Sequence, residues 1–307
     1  MLSDQTDRPL RARLRLNLET AGDGNEGSLF ALFDGARIHG LSTLLRTLQF
    51  DFVSLYAGRA ERDLPHVAPY LTRLPWSEET FAFFDHCSIA LASAVFLVAG
   101  AQLSELRNHF RRFLLVLDGR RRDVYLRFYD PRVLAPFLSA CDEEEKRQFF
   151  GPVRRILIRD LRDAELSTRP ALLSWRRPAT PIEGQDLPFR PGGLSKFTLR
   201  PEHETAFHQE ALERYEQRAG AYLRDRFPKR LGVAPEPEVR SYLRRAREIA
   251  PALQILGGRD VTVLAEVLVC RDDQSVLSYL RGFSPKDRHR ELWALRDHDR
   301  AASGEMK

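Results

Sequence analysis

The sequence has little cysteine, no long apolar run and no apolar leader. The three cysteines, Cys87, Cys141 and Cys270, lie far apart and form no CxxC pair. This spacing disfavours disulfides and a zinc site, and it predicts a reducing compartment, by default the cytoplasm. The longest apolar stretch, Ile89 to Ala101, is interrupted by Ser93 and is too short to span a bilayer. The opening MLSDQTDRPLRARLRL scatters charges and lacks the apolar core of a secretory signal, so we expect no membrane insertion.

Motifs for a nucleophile or a bound phosphate are also missing. Ser42, Ser54 and Ser93 lack the GxSxG elbow that holds a catalytic serine on a strained turn. The glycines of GDGNEG and GGRD do not follow a strand and open a helix, as a phosphate-binding loop requires. We therefore predict no catalytic residue and no cofactor.

The histidines offer only weak metal or thiol patterns. His203, Glu204 and His208 lack the HExxH order, and five residues of separation turn the two imidazoles away from each other on a helix. This favours a solvated helix face and no metal site. Cys87 follows His86, but adjacent residues seldom face one another, which favours a core cysteine.

Composition indicates a soluble globular protein. Of 307 residues, 43% are hydrophobic and 30% are charged. The net charge of +5 comes from 48 basic and 43 acidic residues that are interspersed along the chain. A basic balance is compatible with nucleic acid or with an acidic partner. The arginine clusters, such as Arg111–Arg112 and Arg120–Arg122, lack interleaved aromatic residues, so we predict no nucleic-acid binding.

Strands that alternate with helices predict an α/β lobe over residues 1–160. The predicted strands are Leu29–Ala36, Phe52–Tyr56, Tyr70–Leu74, Ala94–Val98, Phe113–Leu117, Val124–Tyr129 and Pro152–Arg159. Three helices are predicted: one where apolar residues recur at helical spacing from Ile38, one that begins at Ser77, and one over Gln102–Arg112. A hairpin through Asp118-Gly119 argues for a mixed sheet flanked by helices.

The rest of the chain predicts a connector and a helical lobe. Residues 161–197 are rich in proline and glycine and are expected to lie against the first lobe through Trp175 and Phe189. Residues 198–307 carry helical apolar repeats, beginning at Pro201, and form an all-helical C-terminal lobe.

The stretch from Val124 to Pro152 has the clearest local signals. Asp130 is placed to cap a helix that starts at Pro131, where no amide donor is needed. Asp142 and Glu145 have the spacing of a capping box for a second short helix. Gly151 suits a left-handed position after that helix, and Pro152 prevents its continuation.

Four residues of the first junction, Arg127, Tyr129, Asp130 and Arg132, have two interpretations. In the structural one, Asp130 caps the helix and Arg127 pairs with a nearby carboxylate. In the other, the arginines and the tyrosine form a recognition site for a partner protein, because both residue types are common interface anchors. The sequence leaves both interpretations open.

Several segments together resemble a known family, the adaptors of type VI secretion effectors, also called Tap or Tec chaperones. The segments are LFALFDGA, FVSLYAG, PYL, AVFLVAG, the helix around Leu106-Arg107 and His109-Phe110, FLLVLDG, YLRFYDPRVLAPFL and FFGPV. They cover most of residues 29–160, and LERYEQRAGAYLRDRFP is similar to the family's C-terminal lobe. Ala68 departs from the glycine expected before PYL, and Phe96-Leu97 replaces a tryptophan or small polar residues.

The resemblance implies a cytoplasmic adaptor or chaperone and not an enzyme. Such a protein binds one toxic effector and helps load it onto the VgrG spike. A different class, a hydrolase or nucleotide-binding enzyme on the α/β lobe, would need a deep pocket around groups such as His86, His109 or Asp130. A nucleic-acid binder would need a continuous basic face.

Overall fold

The computed structural model describes residues 27–75, 77, 80, 93–159, 172–179, 196–255 and 257–303. Two compact units divide between His208 and Gln209. The first contains a six-stranded sheet in the order β2-β3-β1-β4-β7-β8 and a separate two-stranded sheet, β5-β6. The strands are β1 (Ser28–Asp34), β2 (Phe52–Ser54), β3 (Pro69–Arg73), β4 (Ala94–Ala99), β5 (Leu115–Leu117), β6 (Asp123–Tyr125), β7 (Val153–Arg159) and β8 (Leu172–Arg176).

Helices flank this sheet, and its central strands β1 and β4 are buried on both faces. The helices are α1 (Leu41–Thr47), α2 (Arg59–Asp63), α3 (Leu103–Arg111), α4 (Pro131–Ala140) and α5 (Glu143–Phe150). Along β1, Phe30 and Leu32 enter one core cluster, while Leu29 and Phe33 enter another. This alternation follows from the two-residue period of a strand. Because both faces are covered, β1 is apolar at nearly every position.

The predicted fold class is confirmed, with a specific sheet topology. All pairs within the six-stranded sheet are antiparallel. A parallel pairing occurs beside the hairpin instead, as a bridge between Leu117 and Thr198. The hairpin itself is confirmed, with β5 antiparallel to β6.

The structure differs from the prediction at the end of β6 and adds a strand within residues 161–197. The strand predicted through Tyr129 ends at Tyr125, because the Asp130 N–H donates to the Arg127 carbonyl at 2.9 Å and closes a turn. The predicted connector contains β8, which pairs with β7 as an edge strand, and its Trp175 packs on the core as expected. Other predictions lie outside the described residues: the N-terminal arm before residue 27, the helix bearing Phe81, the His86–Cys87 pair, and Phe189.

The second unit is helical in its described residues. Its helices are the C-terminal part of α6 (Pro201–Arg226), α7 (Pro228–Leu231), α8 (Glu236–Ile249), α9 (Gly258–Cys270), α10 (Asp273–Arg281) and α11 (Pro285–Ser303). Helix α9 is buried almost all round, and even Glu266 is buried. That carboxylate is matched by Arg300 and by the Tyr222 hydroxyl, which donates to it at 3.0 Å. In the described chain no helix has the length and apolar character needed to cross a bilayer.

Candidate functional site

The candidate site begins where β6 ends and the chain turns into α4. Asp130 has extended backbone angles and precedes Pro131 at the first helical position. Its carboxylate accepts the Arg132 N–H at 3.0 Å, which confirms the predicted cap. The turn thus presents Arg127, Tyr129 and Arg132 within six residues.

Asp130 and Arg132 form a bidentate ion pair. Arg132 Nε donates to Oδ1 at 2.9 Å and Nη2 donates to Oδ2 at 2.6 Å. The carboxylate is buried, whereas 35% of the Arg132 side chain is exposed. Burial raises the pKa of Asp130, but the hydrogen bonds and charge of Arg132 oppose this and hold it below its ordinary value. Asp130 therefore stays ionised and is engaged at neutral pH.

Arg127 forms a second ion pair, with Asp34 at the end of β1. Its Nη2 donates to Asp34 Oδ2 at 2.5 Å. Asp34 is fully buried, and its other carboxylate oxygen accepts the Ala36 N–H at 3.0 Å. The two residues are 93 positions apart in sequence, so the pair fastens the junction to the central sheet.

Aromatic rings continue the site toward the hairpin. The Tyr129 ring packs edge to face on Tyr125, which packs in the same way on Tyr56, with centroid separations of 6.5 and 6.4 Å. The Arg127 guanidinium lies 5.8 Å from the Tyr129 ring centroid. Burial raises the pKa of Tyr129 to about 12 and also raises that of Tyr125, so both phenols stay protonated at neutral pH.

The site exposes guanidinium hydrogen-bond donors, whereas its two carboxylates are held in ion pairs and are not available as a general base. Both carboxylates, Asp34 and Asp130, are occupied by arginines. Arg127 has 44% of its side chain exposed. Its Nε and Nη1 have no hydrogen-bond partner among the described residues. The structure therefore brings all four predicted residues together, and both the structural and the recognition interpretations use them.

We expect Asp130→Ala to destabilise the α/β unit by about 1–2 kcal/mol, since it removes a cap and a charged hydrogen-bond partner. The half-exposed Arg132 can return to water, which limits the cost. Asp130→Asn keeps a side-chain acceptor for the helix and is expected to lose about half as much. Urea unfolding measures both, and equal losses would show that the cap contributes nothing.

A second cluster joins Cys141, Glu145 and His203, whose possible metal-binding atoms lie within 4.8 Å of one another. His203 is fully buried, so its predicted solvated face is wrong, although Glu204 and His208 are exposed. Its Nε2 lies 3.4 Å from the Cys141 sulfur and 3.5 Å from a Glu145 oxygen. Sequence reasoning missed this cluster because His203 lies 62 residues after Cys141 in the chain.

The hydrogen bonds of the second cluster favour a structural role. His203 Nδ1 accepts the Arg200 N–H at 3.0 Å, so the neutral ring carries its proton on Nε2. Burial lowers the pKa of His203, which keeps it neutral. The Arg200 guanidinium holds both Glu145 oxygens, at 2.6 and 2.7 Å. A metal bound to His203 Nε2 would require the proton on Nδ1 instead, and it would have to displace Arg200 from Glu145. The contacts of this cluster therefore do not fit a metal site.

The junction lies within the part of the chain that matches a known family. Residues 29–148 match the family model described as a domain of unknown function, DUF4123. The match starts in β1 and ends in α5, so it contains both ion pairs of the junction. No curated protein and no solved structure matches the chain.

Proposed function

We propose that this protein is a cytoplasmic adaptor that binds a toxic type VI secretion effector and helps load it onto the VgrG spike. The observation that carries the proposal is the DUF4123 match over residues 29–148, because that domain is known from adaptors of type VI effectors. The adaptor acts by binding and does not catalyse a reaction.

The geometry of the junction supports a binding role. The turn is attached to a sheet whose central strands pack into a core on each face, and buried Asp34 and Asp130 fix the two arginines. Preorganised Arg and Tyr side chains lose little conformational entropy when a partner docks, which suits them as interface anchors.

A pull-down of the tagged chain from its native host, followed by mass spectrometry, tests the proposal. We expect a toxin and a VgrG-type spike protein among the recovered partners. Recovery of neither, from cells in which the secretion system is expressed, would contradict the adaptor role.

Within this proposal, Arg127→Lys separates recognition from folding. Arg127→Glu is a poor test because it would place a second acid beside the buried Asp34. Lysine keeps the positive charge but loses the outward guanidinium donors. We expect effector capture to weaken about tenfold, corresponding to about 1.4 kcal/mol, with little change in melting temperature.

The matched control is Arg62→Lys, at an exposed position of α2. Unchanged capture by Arg127→Lys would assign Arg127 a structural role alone.

A further inference from the structure

The β5–β6 hairpin has one backbone edge that the described chain leaves open. Leu126 N–H donates to the Leu114 carbonyl at 3.0 Å, and Asp118 N–H donates to the Arg122 carbonyl at 2.9 Å. Hydrogen-bonded and non-hydrogen-bonded pairs alternate along an antiparallel ladder. The pairs Leu115–Tyr125 and Leu117–Asp123 are therefore the non-hydrogen-bonded ones.

The backbone groups of these non-hydrogen-bonded pairs point away from the hairpin. On the β5 side, Leu117 N–H donates to the Phe197 carbonyl at 2.8 Å, and Leu199 N–H donates to the Leu117 carbonyl at 2.7 Å. On the β6 side, the corresponding groups of Asp123 and Tyr125 meet no other strand among the described residues. The outer edge of β6 can therefore accept a further strand.

An exposed apolar pair lies on this hairpin. Leu115 and Tyr125 are cross-strand partners, with 47% and 43% of their surfaces exposed. Side chains approach most closely in a non-hydrogen-bonded pair, so the two form one patch. In the described α/β unit, the other exposed large apolar side chain is Leu64.

The hairpin and its flanks carry an excess of positive charge. Over residues 111–127 the arginines are Arg111, Arg112, Arg120, Arg121, Arg122 and Arg127, against Asp118 and Asp123. Both acids are already paired, Asp118 with Arg122 and Asp123 with Lys196. Arg111, Arg120 and Arg121 are exposed and have no ion pair in the described part of the chain. An acidic ligand complements this surface.

We propose that the outer edge of β6 binds an extended acidic segment of a partner protein by strand addition, with an apolar side chain of that segment on Leu115 and Tyr125. The inference rests on the proposed function in that the partner is a protein, and it adds where that protein docks and with what chemistry. Main-chain hydrogen bonds supply affinity in such complexes, and alternate side chains supply specificity.

Two other occupants fit the surface less well. A second copy paired edge to edge would bring two arginine-rich hairpins together. Single-stranded nucleic acid needs open aromatic faces for stacking, whereas the Tyr125 ring already makes edge contacts with Tyr56 and Tyr129.

Synthetic peptides test the inference on the purified full chain. The probe is a ten-residue peptide in which Asp or Glu alternates with Val, Leu or Tyr. One matched peptide replaces the acids by lysine, and another carries central prolines that cannot add as a strand. We expect fluorescence anisotropy to show that the first peptide binds at least tenfold more tightly than either control peptide, and that salt weakens this binding.

Paired variants locate the binding edge. Asp123→Pro and Asp123→Ala both lose the carboxylate, but only proline removes the outward N–H. We expect Asp123→Pro to bind the acidic peptide about tenfold more weakly than Asp123→Ala, with both variants folded by circular dichroism.

Side-chain variants test the apolar pair and the arginines. The double substitution Leu115→Ser and Tyr125→Ser should also abolish peptide binding, whereas Leu64→Ser should not. Arg120→Glu with Arg121→Glu should weaken binding, against Arg59→Glu with Arg62→Glu as the matched control.

Several results would overturn the inference. Equal binding of the acidic and lysine peptides, or acidic-peptide binding that Asp123→Pro leaves intact, would rule out the proposed edge and its charge preference. Self-association that Asp123→Pro abolishes would assign the edge to a second copy of the chain. Displacement of the peptide by an oligonucleotide would assign the surface to nucleic acid. The proposed function fails separately, when the host pull-down recovers neither toxin nor spike. A pull-down with Asp123→Pro that still recovers both would overturn only the strand-addition site.

Discussion

Gly151→Ala is expected to destabilise the α/β unit by about 4 kcal/mol, a large part of the stability of an ordinary domain. Gly151 ends α5 with φ of 50° and ψ of −115°, where a side chain is strained. An added Cβ would also lie 2.3 Å from Cε1 of the buried His109. Strain and overpacking each cost roughly 1–3 kcal/mol. Urea unfolding measures the loss.

Gly58 provides a matched control for Gly151. It has φ of 60° and ψ of −124°, nearly the same backbone conformation, but an added Cβ would meet nothing within 4 Å. Gly58→Ala should therefore show the backbone strain alone, about 2 kcal/mol. If the two substitutions cost the same, the contact with His109 is not the constraint on Gly151.

The stability of the α/β unit should fall by about 3 kcal/mol between pH 6.5 and pH 4 because of His109 alone. His109 Nε2–H donates to the Phe149 carbonyl at 2.7 Å inside a cluster of phenylalanines. Burial lowers the pKa of His109 from 6.5 to about 4; the hydrogen bond to Phe149 opposes this shift, and the charge of Arg112 adds to it.

The direction follows from proton linkage. Between pH 6.5 and pH 4 the unfolded chain protonates this histidine while the folded chain keeps it neutral. The contribution of His109 to stability is therefore complete well above pH 6.5, falls as the pH is lowered and levels off below about pH 4. His109→Gln retains a donor for Phe149 and cannot titrate. His203 also has a lowered pKa and acts in the same direction, so the test is the difference between wild type and variant.

Unfolding free energies at pH 7 and pH 4.5 measure this difference. We expect the pH dependence to be smaller in His109→Gln by most of the 3 kcal/mol estimated above. Identical pH dependence in the two proteins would show that His109 is not held neutral in the folded unit.

The local features of the junction were predictable, because their causes lie within a few residues. The Asp130 cap and the Asp142–Glu145 capping box both form, with reciprocal bonds of 2.9 Å in the latter. Gly151 has the predicted positive φ, although its ψ of −115° places it outside the left-handed helical region. The preference for glycine was visible in the sequence, but His109, which fills the space where a Cβ would stand, was not.

The long-range features of the site could not be predicted. Asp34 falls near the end of the predicted strand Leu29–Ala36, and nothing near it indicates a partner 93 residues away in Arg127. His203 reads as an exposed helix residue until the packing of α4 and α5 buries it against Cys141. The open edge of β6 depends on which strand takes the other side of the hairpin, and that pairing comes from residues 197–199.

The amount of toxin that co-purifies with the VgrG spike, in host cells with and without this protein, tests the adaptor role most directly. The toxin is expressed at the same level in both strains, and the spike is the tagged component. We predict that the toxin is lost from the spike when the protein is deleted and returns when the gene is restored. Equal recovery of toxin in both strains would contradict the adaptor role.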